Sequence, residues 1–359
     1  MRAALMQGID APVVIEHLTA AEPGPQDVVV RIEATGVCHS DISAVRGYIG
    51  LTPPAILGHE AAGVVEFVGA AVAHVKQGQR VIASLVPTCQ RCYWCTNGQT
   101  HLCEDTVRMR KLTRAFRDDG TPVTSMLGLG AFADRMTVDQ SQIVPVDSDL
   151  PAAQLALIGC GVATGAGAAM FTTPVTPGST VAVIGCGGVG QAIIQGARLM
   201  GATTIVAVDP VDLKRAAGLT SGATHVVDPD TVSASSAVRD LTSGRGADFA
   251  FEAVGSPATV SVAYECARRG GQVATVGIPA PSARLDLPAS DFFRAEKRVV
   301  GSYYGSTQVR RDFQRFADLA AAGRLDLAGL ITRTYKLEEL ETAFDDLTSS
   351  RLIRGMVVH

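Results

Sequence analysis

The chain has 359 residues, of which 47% are hydrophobic and 18% charged, with a net charge of −4 and an isoelectric point near 6.0. That length predicts two domains with well-buried cores. The acidic balance argues against binding to nucleic acid or to an anionic membrane surface, and no uninterrupted apolar run reaches the ~18 residues of a membrane helix. The N-terminus has no signal-peptide pattern, so we expect a cytoplasmic protein, where disulfides are rare.

The first ~150 residues predict short β-strands separated by Gly and Pro, as in VVVRIEATGV, AAGVVEFVG, QRVIASLV and ADRMTV. Further along, apolar runs typical of buried parallel strands (STVAVIG, TIVAVD, THVVD, ADFAFEAVG, GGQVATVGI) alternate with helical segments such as GQAIIQGARLMGA and TVSVAYECARR. This alternation predicts a doubly wound nucleotide-binding domain over 156–294. The tail, 295–359, contains two helical segments, VRRDFQRFADLAAAG and LEELETAFDDLTS, and we expect it to complete the first domain, 1–155.

A glycine-rich motif, GCGGVG, lies between the first parallel strand and its helix. Gly185 permits the tight turn, Gly187 lets the backbone approach a pyrophosphate, and Gly190 lets helix and strand pack closely. Asp209 ends the next strand, where its carboxylate would bind the adenosine ribose and repel a 2′-phosphate, with Lys214 as the nearby cation. NAD(H) is therefore favoured over NADP(H). Within the motif, the predicted contacts also include Gly188 and Val189.

Four of the eight cysteines follow the spacing C-x2-C-x2-C-x7-C in CQRCYWCTNGQTHLC. Such spacing lets four thiolates close around one tetrahedral ion, which favours a structural zinc site. An iron–sulfur cluster is the main rival, but the ferredoxin pattern has a shorter final gap and a following proline, where this chain has Glu104. Disulfides or free thiols are the remaining alternative. The four residues are Cys89, Cys92, Cys95 and Cys103.

A second metal site needs three ligands and an open position for substrate. Cys38 in GVCHSD, His59 in LGHE and Cys160 in IGCGVATG are candidates, but they are far apart in the sequence. A buried cysteine is more often inert packing, and a single histidine is more often a hydrogen-bonded core residue. Spacing alone therefore leaves this site open.

Over essentially its whole length the chain resembles the zinc-dependent, medium-chain alcohol dehydrogenases. The motifs GVCHSD, LGHEAAGVV, CQRCYWCTNGQTHLC, IGCGVATG, GCGGVG and AVD stand in the order of that family. The resemblance implies an α/β protein with a GroES-like β-rich catalytic domain, built from both chain ends, and a Rossmann domain with a doubly wound parallel sheet. It also implies NAD(H), two zinc ions per chain, one catalytic and one structural, and a homodimer or homotetramer.

The resemblance assigns the metal ligands position by position. Cys38, His59 and Cys160 would bind the catalytic zinc, and Glu60 would reach it during ligand exchange. Asp41 matches a carboxylate that orients the ligand histidine. The four clustered cysteines would bind the structural zinc.

Catalytic and cofactor-contacting residues follow from the same resemblance. Ser40 matches the hydroxyl residue that bonds the alcohol oxygen. Ser43 stands where many relatives end the proton relay with a histidine, which leaves water, a cofactor ribose hydroxyl or His39 as the proton exit. The expected cofactor contacts are His39 and Arg354 at the phosphates and Thr164, Val276 and Ile278 at the nicotinamide.

These features together predict NAD-dependent oxidation of a primary or secondary alcohol to an aldehyde or ketone, and the reverse, by hydride transfer from a zinc-bound alkoxide. Leu85 replaces a larger aromatic residue of many relatives, which favours a medium-sized apolar or aromatic alcohol. The alternatives are a glutathione-dependent formaldehyde dehydrogenase, a reductase of the same fold acting on an activated C=C or C=N bond, and a non-catalytic scaffold. The expected pocket walls are Leu85, Met126, Phe292 and Phe293. A role in the apolar core would explain Met126, Phe292 and Phe293 equally well.

Overall fold

The computed structural model describes all 359 residues and contains nineteen β-strands and twelve α-helices. The strands are β1 (Arg2–Met6), β2 (Val13–His17), β3 (Thr19–Ala20), β4 (Asp27–Val37), β5 (Ala55–Ile56), β6 (Ala61–Val68), β7 (Arg80–Ala83), β8 (Ala115–Phe116), β9 (Pro122–Ser125), β10 (Arg135–Asp139), β11 (Ile143–Pro145), β12 (Thr180–Ile184), β13 (Thr204–Val208), β14 (His225–Val227), β15 (Ala247–Glu252), β16 (Ala267–Thr275), β17 (Arg298–Gly301), β18 (Ile331–Tyr335) and β19 (Arg354–Val358). The helices are α1 (His39–Val45), α2 (Tyr93–Thr96), α3 (Thr106–Met109), α4 (Ala152–Leu157), α5 (Ala163–Gly167), α6 (Gly188–Leu199), α7 (Asp212–Ser221), α8 (Ala234–Asp240), α9 (Pro257–Cys266), α10 (Ala289–Ala295), α11 (Val309–Ala321) and α12 (Leu340–Thr348).

The first of two compact units combines both ends of the chain, 1–160, 308–323 and 331–359. Its larger sheet has the strand order β11-β7-β6-β4-β19-β18, with β10 also paired to β4. A second sheet has the order β2-β1-β5-β9-β8-β3. In the larger sheet β19 lies antiparallel to β4, with Gly355 opposite Val37. The last strand of the chain therefore lies inside a sheet that N-terminal residues build.

Helix α12 covers this β-rich unit with an apolar face. Leu340, Ala343, Phe344 and Leu347 recur at intervals of three and four residues and are all buried. The Phe344 ring packs edge-on against Phe132, with ring centres 6.2 Å apart. Because α12 contacts both α1 and β4, this packing supports the segment where β4 leads into α1.

The second compact unit comprises 161–307 and 324–330. Its six strands are all parallel in the order β14-β13-β12-β15-β16-β17, which confirms the doubly wound sheet. Val181 and Val183 of β12 face one apolar cluster, and Ala182 faces another. Because both faces of the sheet are buried at its centre, strands β12, β13 and β15 are apolar over most of their length instead of alternating.

The boundaries between the two units differ from the expected residues 155 and 294. The structure divides the chain after Cys160 and after Thr307, and it also places 324–330 of the tail in the second unit. The second boundary falls later because β17 pairs with β16 and so extends the parallel sheet.

One helical run, Ala152–Thr172, has the length and composition of a membrane span, with a mean hydropathy of 1.6. Glycine and threonine residues interrupt its apolar character, so the sequence shows no continuous apolar stretch there. Within the protein, 78% of its apolar window is buried, as in the core helix of a globular protein. The run joins α4 and α5 through the π-helical turn Ile158–Val162 and ends in another, Ala168–Thr172.

Candidate active site

The predicted ligands of the open metal site meet at the ends of two paired strands and at one helical turn. Cys38 follows β4 and begins α1, while His59 and Glu60 immediately precede β6. Because β4 and β6 pair antiparallel, the two segments lie side by side. Cys160 completes the group, and one ligand atom from each of the four residues lies within 4.8 Å of all the others.

A π-helical turn, Ile158–Val162, carries Cys160. A Cβ atom at Gly159 would lie 2.7 Å from the Ala83 carbonyl oxygen in β7, closer than real Cβ contacts allow. Glycine at this position therefore lets the helix approach the sheet. Single π-helical turns occur frequently at functional sites, where they shift one side chain out of the regular helical register.

Asp41 fixes the orientation of His59. Its Oδ1 lies 3.1 Å from His59 Nδ1 and accepts a hydrogen bond from the Gly58 N–H at 3.2 Å, while Oδ2 accepts from the Cys38 N–H at 3.0 Å. Burial opposes protonation of His59, but the charges and hydrogen bonds of Asp41 and Cys38 together outweigh it and raise the pKa of the imidazole. The buried Nε2 atom has no hydrogen-bond partner within the protein. In the neutral imidazole, the Asp41 carboxylate holds the ring proton on Nδ1, which leaves the Nε2 lone pair free for a metal.

Cys38 and Cys160 are buried free thiols. The hydrogen bond between their sulfurs lowers the pKa of Cys38 and, together with burial, raises the pKa of Cys160. Two sulfurs and the imidazole nitrogen of His59 match the Cys2His ligand set of a catalytic zinc, which keeps a fourth position open. The residues present therefore fit a zinc ion.

Glu60 forms a buried ion pair with Arg354 next to this cluster. A Cβ atom at Gly36 would overlap the Glu60 carboxylate, so glycine makes room for it. The other carboxylate oxygen, Oε1, lies 4.0 Å from His59 Nε2 and has no hydrogen-bond partner. Burial raises the pKa of Glu60 although the Arg354 charge acts against this. We found no sequence signal for this pair, and the expected contact of Arg354 with a phosphate stays a prediction.

The predicted proton-relay residues lie on α1. The Ser40 hydroxyl is 3.7 Å from Cys38 Sγ and half-buried, which places it beside the cluster. Ser43 is half-buried one helical turn further on, and His39 is exposed at the start of the helix. Ser40 therefore lies in direct reach of a candidate metal ligand.

The other cysteines form a second cluster in the same unit. One sulfur from each of Cys89, Cys92, Cys95 and Cys103 lies within 4.8 Å of the others, and all are free thiols. Cys92 is the residue before the first turn of α2, and its N–H donates to Cys89 Sγ at 3.4 Å. Burial acts against ionisation of Cys92, but backbone N–H groups of Glu104 and Cys95 lower the pKa of its thiol to about 7. Four sulfurs arranged in this way fit a closed tetrahedral zinc site.

In the second unit, the glycine motif forms the turn from β12 to α6. Gly185 has a φ of +88°, and a Cβ atom at Gly190 would overlap the Gly185 carbonyl group. Gly187 begins α6 with no side-chain cap, and no atom lies within 4 Å of the position of a Cβ there. Gly188 and Val189 form the first turn, whose free N–H groups fit a pyrophosphate.

Asp209 links this turn to the end of β13. Its carboxylate accepts hydrogen bonds from the Cys186 N–H at 2.8 Å and the Val211 N–H at 2.9 Å. Arg215, which no sequence motif marks, donates to the Asp209 carbonyl oxygen at 2.7 Å. Lys214 lies beside it in the first turns of α7. The carboxylate is thus held at the edge of the sheet where a ribose is expected.

The residues expected beside the nicotinamide also belong to this unit. Val276 follows β16 and is buried, whereas Ile278 is 68% exposed. Thr164 is half-buried on α5. Their contact with a cofactor stays a prediction.

The expected substrate-pocket residues have mixed surroundings. Leu85 is 9% exposed, and Met126 is fully buried in an apolar core. Phe292 stacks on Tyr264 with ring centres 6.5 Å apart, and Phe293 on the same helix is 81% exposed. Packing explains Met126 and Phe292 without a substrate, so their role as pocket walls stays a prediction.

Comparison with known proteins agrees with this geometry. The family described as "Alcohol dehydrogenase GroES-like domain" matches 24–148, and "Zinc-binding dehydrogenase" matches 188–322. A protein of Mycobacterium tuberculosis (strain ATCC 25618 / H37Rv), provisionally named alcohol dehydrogenase D, is 37% identical over 99% of both chains. The NDMA-dependent alcohol dehydrogenase of Amycolatopsis methanolica is 35% identical over 100% of this chain and 98% of its own.

Two solved structures share the fold over nearly their whole length. Benzyl alcohol dehydrogenase from Acinetobacter calcoaceticus has a TM-score of 0.93 and 26% identity, covering 99% of this chain and 98% of its own. A provisionally assigned zinc-binding dehydrogenase from Sinorhizobium meliloti 1021, bound to NADP, has a TM-score of 0.84 and 28% identity. The match covers 100% of this chain and 99% of its own.

Fold and site together define an oxidoreductase with a GroES-like domain and a Rossmann-type domain for a nicotinamide cofactor. The chain belongs to the family of zinc-dependent, medium-chain alcohol dehydrogenases. The resemblance stated from its motifs is confirmed.

Proposed function

We propose that this protein oxidises a primary or secondary alcohol to an aldehyde or ketone with NAD as hydride acceptor, and also catalyses the reverse reaction. Membership of the alcohol dehydrogenase family supports alcohol oxidation in general. The observation that carries the proposal is the convergence of Cys38, His59 and Cys160, whose ligand atoms lie within 4.8 Å of one another. The choice of NAD and of the alcohol rests on individual side chains.

Two zinc ions per chain are part of the proposal. Cys38, His59 and Cys160 would hold one, with Glu60 as an alternative ligand. Because three ligands leave a position for the alcohol oxygen, this site would be catalytic. The cluster formed by Cys89, Cys92, Cys95 and Cys103 has no such opening and would be structural.

A bound zinc ion would supply Lewis acidity for loss of the alcohol proton. The same acidity lowers the pKa of bound water to ~7, which corresponds to ~12 kcal/mol. A side-chain hydrogen bond contributes only ~1–3 kcal/mol. Ser40, beside Cys38, therefore has the smaller task of carrying the proton away from the substrate hydroxyl. Asp41 keeps the proton on His59 Nδ1 and so keeps Nε2 available as a ligand.

The preference for NAD rests on Asp209. Its carboxylate lies at the end of β13, fixed by two backbone N–H groups, where it would accept from ribose hydroxyls and repel a 2′-phosphate. Arg215 is already engaged by the Asp209 carbonyl oxygen and by Asp228, 3.2 Å away. Because the Sinorhizobium neighbour was solved with NADP, both cofactors are compared in the test.

We propose a medium-sized apolar or aromatic alcohol as substrate. By the family resemblance, Leu85 stands where many relatives carry a larger aromatic residue, and it is 9% exposed. The fold neighbour named benzyl alcohol dehydrogenase supports an aromatic substrate.

The test follows nicotinamide absorbance during oxidation of straight-chain, branched and benzylic alcohols. Each alcohol is tried with NAD and with NADP, with and without added NDMA because one relative is NDMA-dependent. We expect NAD-linked oxidation, highest with benzylic or medium-chain alcohols and lost after chelation. Ser40→Ala should lower kcat, while the matched variant Ser43→Ala, on the same helix, should retain most activity.

Two further arms separate the alternatives. Activity confined to formaldehyde with glutathione would identify the glutathione-dependent enzyme. Activity confined to reduction of an unsaturated ketone would identify the reductase. Either outcome, or equal rates before and after removal of metal, contradicts the proposed function.

A further inference from the structure

Glu252 is a buried carboxylate at the carboxyl end of β15, the sheet edge that also carries the glycine turn. Its side chain is fully buried and forms no ion pair. One oxygen, Oε1, accepts hydrogen bonds from the Val254 N–H at 2.8 Å, the Gly255 N–H at 2.6 Å and the Thr259 hydroxyl at 2.7 Å. The other oxygen, Oε2, has no hydrogen-bond partner within the protein. Burying a carboxylate without a neighbouring cation costs free energy of desolvation, so a structural benefit must offset that cost.

The turn that Glu252 holds, 253–255, packs against the glycine motif. The Ala253 N–H donates to the Ile184 carbonyl oxygen at 2.8 Å, directly before Gly185. A Cβ atom at Gly185 would lie 2.5 Å from Val254 Cγ2. The position of Val254 therefore limits where the dinucleotide turn can lie.

The same turn packs against the segment expected beside the nicotinamide. The Glu252 carbonyl oxygen accepts from the Val276 N–H at 2.8 Å and the Gly277 N–H at 3.0 Å. Gly255, with a φ of +91°, lies so close to the Ile278 backbone that no Cβ atom would fit between them. Main chain and side chain of one residue thus hold two neighbouring segments together.

Two apolar side chains at this junction are exposed. Val254 is 55% exposed and Ile278 68% exposed, although both sit on tightly packed backbone. Exposed aliphatic groups held rigidly at the carboxyl edge of a parallel sheet form a surface that a bound ring can cover.

We propose that Glu252 is a positioning residue for the nicotinamide cofactor: its carboxylate holds the turn 253–255 so that Val254 and Ile278 are pre-organised to receive it. The proposal rests on the proposed function, because it assumes that this sheet edge binds the cofactor. Glu252 acts through the turn, and the affinity gained comes from ordering the turn before binding.

The test compares wild type, Glu252→Ala, Glu252→Gln and Thr259→Val in the full-length, zinc-loaded protein. Glu252→Ala removes the acceptor of all three hydrogen bonds. Glu252→Gln keeps one oxygen for them and should restore most of the binding. Thr259→Val removes one donor but leaves both turn N–H groups bonded, so it is the matched control. NADH affinity is measured by fluorescence titration, KM and kcat by assay, and stability by thermal unfolding without cofactor.

We expect Glu252→Ala to raise the Kd for NADH and the KM for NAD roughly tenfold, as for loss of a charge-assisted hydrogen bond, with a smaller change in kcat. Thr259→Val should lower the melting temperature and leave the Kd within about twofold. Should Glu252→Ala not fold, Glu252→Asp takes its place, because its shorter side chain cannot span to the turn.

A folded Glu252→Ala or Glu252→Asp with the Kd of wild type and only a lower melting temperature would overturn this inference alone. Wild type that binds neither NADH nor NADPH would overturn the proposed function as well. Equal losses of affinity in Glu252→Ala and Thr259→Val would also contradict the inference, since the turn remains bonded in the second variant.

Discussion

Replacing Asp41 with Asn tests whether the orientation of His59 governs metal binding. The carboxylate serves three donors, the Cys38 and Gly58 N–H groups and the His59 ring, at 3.0 to 3.2 Å. Asn has one oxygen, so its NH2 group must face either the Cys38 N–H or the other two donors. The first arrangement sets two donors against each other. The second sets the NH2 group against the Gly58 N–H, makes Nδ1 the acceptor and moves the ring proton to Nε2, the position of the metal-binding lone pair.

The expected loss of zinc affinity follows from these two arrangements. The first loses one charge-assisted hydrogen bond and leaves a buried N–H unsatisfied, at a cost of about 1.5–3 kcal/mol. The second disfavours the tautomer in which His59 binds a metal through Nε2. In either case zinc affinity at this cluster should fall about 10- to 100-fold, as for other groups that orient a metal-bound histidine.

Zinc affinity is measured by competition with a chromophoric chelator. The control is Asp139→Asn, because Asp139 is also buried in the same unit but accepts its hydrogen bonds from Ser141 and Arg108, not from a candidate metal ligand. We expect the control to lower the melting temperature and to leave zinc affinity unchanged. Equal zinc affinity in wild type and Asp41→Asn would refute the reasoning, and so would an equal loss in both variants.

Three further changes test other parts of the account. Cys103→Ser should leave one zinc ion per chain and lower the melting temperature; elemental analysis that still finds two would count against the four-cysteine site. Asp209→Gly combined with Pro210→Arg should move the kcat/KM preference toward NADP about tenfold or more, because a repelling charge is exchanged for an attracting one; unchanged selectivity would contradict the role of Asp209. Ser43→His should raise turnover at moderately acid pH, where an added imidazole can carry the proton; an unaltered pH–rate profile would show that another step is slower.

The parallel sheet was the most predictable part of the fold. Strands β12, β13 and β15 are buried on both faces, so each stands out as a short apolar run, and the glycine motif marks the turn after the first. The metal clusters were partly predictable. The four-cysteine cluster follows from local spacing, whereas only the family resemblance joined Cys38, His59 and Cys160, because the pairing of β4 and β6 creates their proximity.

Other features depend on contacts that no local pattern encodes. Glu60 and Arg354 are 294 residues apart, and their pairing requires β19 to lie beside β4. The boundary after Thr307 depends on β17, a four-residue strand whose sequence, RVVG, is too short to indicate its sheet. Glu252 gave no signal because its role comes from hydrogen bonds to a turn that the sequence marks only as a break between strand and helix.

The central claim is that two sulfurs and one imidazole hold a zinc ion beside the reacting alcohol. An anomalous difference map recorded at the zinc absorption edge, on crystals of the zinc-loaded protein, tests it most directly. We predict one peak between Cys38 Sγ, His59 Nε2 and Cys160 Sγ, and a second among the four clustered cysteines. A single peak at the four cysteines, with none at the first site in active enzyme, would contradict the account.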